Sequence, residues 1–216
     1  MKCGHSIWIY QKDGIKVIIP IFVDDMTIIS KSKDAVQSVK DELKKIFKLR
    51  DLGPTKFILG VAIEKDRSNR ILTLSQKQYI LDILSRYDHS DCNPVSTPID
   101  PGCELLSDQA LSTLEDIEYM KDKPYIHAVG SLIYLSISTH PDIAYAVGVL
   151  ARVNSNSGVP HWKVVKHVFR YLKGTLDYKL TYGPISTIVL HKLHSPPTLM
   201  QTMVKIKTLV DLQVLI

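Results

Sequence analysis

Cysteine is scarce in this chain of 216 residues: Cys3, Cys92 and Cys103 are an odd number without a repeated spacing. That scatter excludes a disulfide framework and implies reduced thiols in an intracellular protein. Cys3 and His5 are too isolated to suggest zinc. No uninterrupted apolar run is long enough to span a bilayer, so no membrane partner is expected. A basic and apolar leader with a cleavage site is also lacking. Charge of one sign is not in large excess. Lys and Arg number 27 against 22 Asp and Glu, a net +5 with a pI near 9.0, which mildly favours an anionic partner such as nucleic acid without identifying one. With 45% hydrophobic and 23% charged residues, the composition is that of a globular chain of one domain or two small ones.

Two adjacent aspartates stand out against this background. Phe22-Val23-Asp24-Asp25-Met26 is preceded by Ile15-Lys16-Val17-Ile18-Ile19-Pro20-Ile21 and followed by Thr27-Ile28-Ile29, so the acids sit between two strand-like runs. A tight turn there aims neighbouring carboxylates outward. Like charges side by side repel, and a bound divalent cation removes that penalty, with hard oxygen ligands suiting magnesium. A polar hairpin turn accounts for the same pair, because Asp is common in turns.

The flanks add to this. Phe22-Val23-Asp24-Asp25 resembles the [FY]-x-D-D box of reverse transcriptases. Phe47-Lys48-Leu49-Arg50-Asp51-Leu52-Gly53 and Lys56-Phe57-Ile58-Leu59-Gly60-Val61 are similar to the segments that follow the box in copia-type retrotransposon polymerases. So are Leu74-Ser75-Gln76-Lys77-Gln78-Tyr79-Ile80, Gly130-Ser131-Leu132-Ile133-Tyr134-Leu135, Pro141-Asp142-Ile143-Ala144-Tyr145-Ala146-Val147 and, after His161-Trp162, Arg170-Tyr171-Leu172-Lys173-Gly174-Thr175. They come in the family's order from about residue 6 to residue 183, and the match is to the carboxy-terminal half of the reverse transcriptase domain.

The resemblance implies an α+β fold: a partial polymerase palm of antiparallel β-hairpins plus a helix in residues 1–75, then a small helical thumb or connection region in 76–183. It implies RNA-directed DNA synthesis on an RNA or DNA template-primer with deoxynucleotides. Asp24 and Asp25 are then the catalytic and metal-binding acids for Mg2+, and Phe57, Ile58, Leu59, Gly60 and Val61 a primer-grip candidate. The parent element implies a cytoplasmic virus-like particle. Family members use a third metal-binding aspartate on a strand upstream of the box. Only twenty-three residues precede Asp24, and Asp13 lies in a Lys12-Asp13-Gly14 turn. The fingers and the first half of the palm are therefore expected to be absent, metal binding weak, and the chain alone inactive. Two rival readings stay open: a non-catalytic nucleic-acid-binding remnant, and a different two-metal nuclease, for which Asp88, Asp91, Asp100 and Glu104 lack a fixing strand or helix.

Periodicity fills in the elements. Residues 6–10, 15–22 and 26–29 read as a meander. A helix after Ser32 carries Val36, Val39, Leu43, Ile46 and Phe47 on one stripe with lysines opposite, and Leu52-Gly53-Pro54 ends it. Residues 56–64 and 70–74 read as a second hairpin, 56–64 being one half-buried strand, and Ser75-Gln76-Lys77-Gln78 fits a capping box. Residues 91–118 read as a long loop. Three helices follow over 124–138, 141–152 and 160–172, each with a proline near its first turn, and the first two are apolar nearly all round. On the last, Trp162, Val165, Phe169 and Leu172 form the core side. Lys163, Lys166, Arg170 and Lys173 run along another face, a row that suits a phosphate backbone or a solvated surface equally.

From residue 184 to 216 the resemblance stops. Joining the last base of each codon to the first two of the next forces Ala across Met200-Gln201 and Gly across Met203-Val204. Codon degeneracy then permits a string like the family's ribonuclease H opening. This reading makes 184–216 an out-of-frame tail that packs poorly and lacks stable tertiary contacts, although Leu199 to Ile216 is apolar enough to form a spurious helix or strand.

Overall fold

The computed structural model describes residues 6–12, 14–100, 102, 113–184 and, as backbone, 212–215. Asp13 and most of the tail lie outside the described residues. The fold is α+β, with antiparallel sheets and six α-helices among the described residues. It divides into two compact units, the first carrying β1 to β5, α1 and β9 and the second β6 to β8 and α2 to α6. The elements run β1 (Ile7–Lys12), β2 (Ile15–Phe22), β3 (Asp25–Ser30), α1 (Lys33–Ile46), β4 (Asp51–Pro54), β5 (Phe57–Ile58), β6 (Val61–Asp66), β7 (Ile71–Ser75), α2 (Lys77–Arg86), α3 (Leu114–Lys121), α4 (Tyr125–Ser138), a 3-10 turn (Pro141–Ile143), α5 (Ala144–Ala151), α6 (Val159–Gly174), β8 (Leu180–Tyr182) and β9 (Leu212–Leu215).

In the first unit the meander forms as its alternation dictates. β1 pairs antiparallel with β2 from Ile7↔Pro20 to Lys12↔Ile15, and β2 with β3 from Val17↔Ser30 to Phe22↔Asp25. The β2–β3 ladder lapses at Ile19 and Pro20, where proline has no N–H to give. Ser32 caps α1, its side chain accepting from the Ala35 N–H at 3.2 Å. Val17, Ile28 and Val36 form a small buried core, with Ile19, Met26, Val39 and Leu43 packed against it, so α1 covers the face of the sheet that carries Met26 and Ile28. The expected stripe on α1 is shorter than its sequence suggests. Ile46 and Phe47 are exposed, and Lys40, on the lysine side, is buried instead and bonds Asp51 Oδ2 at 2.8 Å. The helix stops at Ile46, and residues 51–54 are a strand rather than its terminator.

The five strands lie in the order β1-β2-β3-β9-β4. β9 pairs antiparallel with β3, from Met26↔Leu215 to Ile29↔Leu212, and antiparallel with β4 at Asp51↔Leu215 and Pro54↔Gln213. The expectation that the tail makes no stable tertiary contact therefore fails for these four residues. Four extended residues satisfy two neighbouring edges by main-chain pairing alone, which asks little of sequence.

The second unit holds the larger core. Ile80, Ile83 and Leu84 of α2, Val129, Leu132 and Leu135 of α4, Val147 and Leu150 of α5, and Trp162, Val165, Phe169 and Leu172 of α6 are buried together. Phe169 stacks on Tyr87 with ring centroids 5.1 Å apart, and the Tyr125 hydroxyl donates to the Leu150 carbonyl at 2.9 Å. The helices read as apolar all round leave Ile126, Ile133, Ile137 and Tyr145 exposed, so one face of α4 stays outside that core. Gln76 caps α2 without a side-chain bond, and the Lys77 N–H reaches Ser75 Oγ instead, so the capping box does not form. α3 starts inside the stretch read as a loop. Thr113 caps it by accepting from the Asp116 N–H at 3.1 Å, a signal that was present in Thr113-Leu114-Glu115-Asp116. Residues 93–97 pack along α6, because the Asn93 and Thr97 carbonyls meet Arg170 Nε at 2.8 Å and His167 Nε2 at 2.9 Å. β7 pairs with both β6 and β8, and the Lys179–Glu64 ion pair at 2.7 Å spans the sheet.

Candidate active site at the aspartate hairpin

Phe22 pairs with Asp25, which leaves Val23 and Asp24 as the two residues of a tight turn. Two-residue hairpins favour positive φ because it matches the twist of the strands. Here that conformation falls on Val23, with φ 52°, a left-handed backbone that a β-branched residue adopts only under strain. Val23 is 82% exposed, so burial of its side chain does not hold it there. The strained turn presents Asp24 to solvent and sets Asp25 half-buried at the head of β3. Alternation along β3 puts Asp25, Thr27 and Ile29 on the face that α1 leaves uncovered. Phe22, opposite Asp25, shares that face and is exposed. Two hard-oxygen donors stand at the end of that face, where Phe22 is exposed, Ile29 half-buried and Thr27 buried.

Hard carboxylate oxygens in the open suit magnesium, but they supply two protein ligands and leave the rest to water. Among the described residues no group of three or more His, Cys, Asp or Glu is placed to hold a metal ion. Asp13 is outside the described residues. Lys12↔Ile15 closes the β1–β2 hairpin at the other end of β2, and eight strand residues at about 3.3 Å each set the two turns roughly 25 Å apart. The aspartates considered for a nuclease, Asp88, Asp91 and Asp100, are described without such a grouping, and Glu104 is outside the described residues.

The primer-grip candidate changes shape. Leu59 and Gly60 both have positive φ, 49° and 75°, so residues 56–64 are not one strand: a two-residue turn separates Phe57-Ile58 from Val61. Gly60 takes this backbone freely, and Leu59 takes it at a cost. The Leu59 carbonyl accepts from the Tyr134 hydroxyl, which holds the turn. Phe57 is exposed, and Ile58, Gly60 and Val61 are partly covered.

The basic row on α6 divides. Arg170 is committed to the Asn93 carbonyl. Lys163 is exposed and Lys166 and Lys173 half-buried, and among the described residues none of the three is ion-paired. Trp162 is 5% exposed and part of the core.

Sequence reading missed a buried polar cluster behind α4. Asp142 accepts from the Tyr171 hydroxyl at 2.7 Å and lies 3.4 Å from His140 Nδ1, with His140 1% exposed. Burial pushes the Asp142 carboxyl up, but the His140 imidazole beside it and the hydrogen bond from Tyr171 outweigh that and hold it below its ordinary value. The Tyr171 hydroxyl is raised, by burial first and by Asp142 second. The Thr139-His140-Pro141-Asp142 run was the one available signal.

Residues 2–101 match the family model described as reverse transcriptase (RNA-dependent DNA polymerase). The chain is 42% identical over 167 residues to the retrovirus-related Pol polyprotein from transposon TNT 1-94 of Nicotiana tabacum, covering 77% of this chain and 13% of that protein. It is 31% identical over 186 residues to the Pol polyprotein from transposon RE1 of Arabidopsis thaliana, 86% of this chain and 12% of that one. An uncharacterized mitochondrial protein of Arabidopsis thaliana is 32% identical over 160 residues, 74% of this chain and 62% of its own length. No solved structure matches the chain. The chain belongs to the reverse transcriptases of copia-type retrotransposons, as a fragment of one. It spans about an eighth of the length of the two polyproteins.

Proposed function

We propose that β1 to β4 with α1 are part of a polymerase palm, that the β6–β7 hairpin and α2 to α6 are its primer-side and thumb or connection portion, and that the parent reaction is RNA-directed DNA synthesis. The observation that carries this is the Asp24-Asp25 turn, held at the open end of the sheet on the face α1 does not cover. In that reaction a primer 3′ hydroxyl attacks the α-phosphorus of a deoxynucleotide and pyrophosphate leaves. Magnesium, when bound, lowers the hydroxyl's pKa and neutralises the leaving oxygens. Asp24, exposed in the turn, is the direct ligand, and Asp25, fixed by β3, is the adjacent acid of the box. Phe57, Ile58, Leu59, Gly60 and Val61, as a turn rather than a strand, remain the primer-grip candidate. Lys163, Lys166 and Lys173 offer three charges to a phosphate backbone, with Arg170 bracing the loop beside them.

The absence of a third carboxylate among the described residues favours a second reading, a remnant that binds template-primer without extending it. One experiment separates the two: extension of a DNA primer on an RNA template with magnesium, using residues 1–216 alone and then with the upstream portion of the TNT 1-94 reverse transcriptase added. We expect no synthesis by the chain alone, and synthesis in the mixture that Asp24→Asn or Asp25→Asn abolishes. Synthesis that survives both substitutions would remove the site from this hairpin. No synthesis in the mixture, despite retained template-primer binding, would establish the remnant.

A further inference from the structure

Residues 93–97 lie as a strap along α6. The Val95 N–H reaches the Arg170 carbonyl at 3.4 Å, and Arg170 Nε and His167 Nε2 hold the Asn93 and Thr97 carbonyls. A Cβ on Gly174 would come within 3.1 Å of Pro94 Cβ, so the strap rests directly on the helix. Val95 and Ile99 are its apolar anchors, packed against the core, and Ser96 and Thr97 between them are exposed. Pro98 keeps Thr97 out of helical backbone. The Thr97 hydroxyl makes no hydrogen bond among the described residues.

The helix face under the strap is basic. Lys163, His167, Arg170 and Gly174 follow one another at steps of four, three and four, which sets them in one stripe, and Lys166 and Lys173 border it. Thr97 is bonded to His167, so Lys163 stands one turn further along and Lys166 is the neighbouring residue. Among the described residues none of Lys163, Lys166, Arg170 and Lys173 is ion-paired. Asp100, the next acid in the strap, accepts from the Gly102 N–H at 3.2 Å. An exposed hydroxyl followed by proline therefore sits beside cations that lack a counter-charge. A phosphate there would carry about −1.5 to −2 charges and accept charge-assisted hydrogen bonds from Arg and Lys.

We propose that Thr97 is a phosphorylation site for a proline-directed serine/threonine kinase, and that its phosphate, seated on Lys163, Lys166, His167 and Arg170, withdraws this face of α6 from nucleic acid. In that step Thr97 Oγ bonds to the γ-phosphorus of ATP, the bond to ADP breaks, and the hydroxyl proton passes to the kinase's catalytic base. The modification site stands on the strap; the loss of nucleic-acid binding rests on the basic row of the reading above. The test uses residues 1–216 carrying Ser195→Ala, because Thr97-Pro98 and Ser195-Pro196 are the two places where a hydroxyl residue precedes proline. After treatment with an active mitogen-activated protein kinase and ATP, mass spectrometry should find one phosphate, on Thr97, kept in Ser96→Ala and lost in Pro98→Ala. Hydrogen exchange at the Val95 amide should slow several-fold as the phosphate fastens the strap. Anisotropy with a fluorescein-labelled RNA–DNA template-primer should show binding weakened several-fold. The slope of log K against log salt should flatten by about two, since each lost phosphate contact removes roughly 0.7–0.9 and Lys163 and Lys166 are both withdrawn. A folded chain left unmodified at Thr97 would overturn the site and leave the polymerase reading untouched. Phosphate on Thr97 with unchanged Val95 exchange would overturn its seat on α6. Unchanged template-primer binding after phosphorylation, where Lys163→Ala and Lys166→Ala weaken it, would overturn the masking. Binding indifferent to the phosphate and to both substitutions would instead sink the basic row, with the modification site standing.

Discussion

Replacing Val23 by asparagine should stabilise the first unit, although it exchanges an apolar residue for a polar one. A left-handed backbone costs a β-branched residue about 1–2 kcal/mol, and the short polar side chain of asparagine recovers most of that. With φ 52° and 82% exposure, Val23 has little burial to lose. Full burial of valine is worth roughly 1.5–2 kcal/mol, so the covered fifth contributes about 0.3. The net gain is about 1 kcal/mol, which slows opening roughly fivefold, since 1.4 kcal/mol corresponds to a factor of ten. Native-state hydrogen exchange of the β2 and β3 amides reads this directly. Val23→Ala is the control, because alanine retains a Cβ and keeps most of the penalty. If asparagine and alanine give the same exchange rates, or asparagine speeds exchange, the turn is not strained and its rigidity cannot be what aims Asp24 and Asp25. A relaxed turn should also bind magnesium no more tightly than wild type, which calorimetric titration checks.

Two further outcomes follow from buried charges. Lys40→Ala strips Asp51 of its ion-pair partner, but the Asp51 side chain is 27% exposed and still accepts from the Gly53 N–H, so the loss is about 1 kcal/mol. Urea denaturation should show that loss, and a Lys40→Met, Asp51→Leu double variant should recover most of it. Asp51 and Asp142 should also shape acid stability. At Asp51 burial opposes ionisation, but the hydrogen bonds from Lys40 and Gly53 and the charges of Lys40 and Lys44 prevail, as His140 and Tyr171 prevail at Asp142. Both folded pKa values lie below the unfolded value of about 3.9, so their contribution is present above that pH and lost as pH falls through the folded values. Denaturation midpoints taken between neutral and acid pH should fall less steeply in Asp51→Asn, and equal slopes would refute the pairing.

Much of the candidate site was legible because it is local. A pair of alternating apolar runs around Val23-Asp24 specifies its own hairpin, Ser32 its own cap, and the 3.6-residue spacing of Trp162, Val165, Phe169 and Leu172 its buried stripe. Those features need only neighbours a few residues away, and six ordered motifs carried the family with them. Tertiary structure decided what depends on distant partners. Lys40 reads as one more solvated lysine until Asp51 arrives beside it, and Arg170 reads as a free cation until the Asn93 carbonyl takes its Nε. Leu59 reads as a strand residue by hydrophobicity, yet the chain turns there with Tyr134 holding its carbonyl from 75 residues away. The placement of residues 212–215 between β3 and β4 was the least legible of all. Strand pairing is a main-chain interaction between edges, and four residues carry no side-chain code for which edge, at what distance along the chain, they will meet.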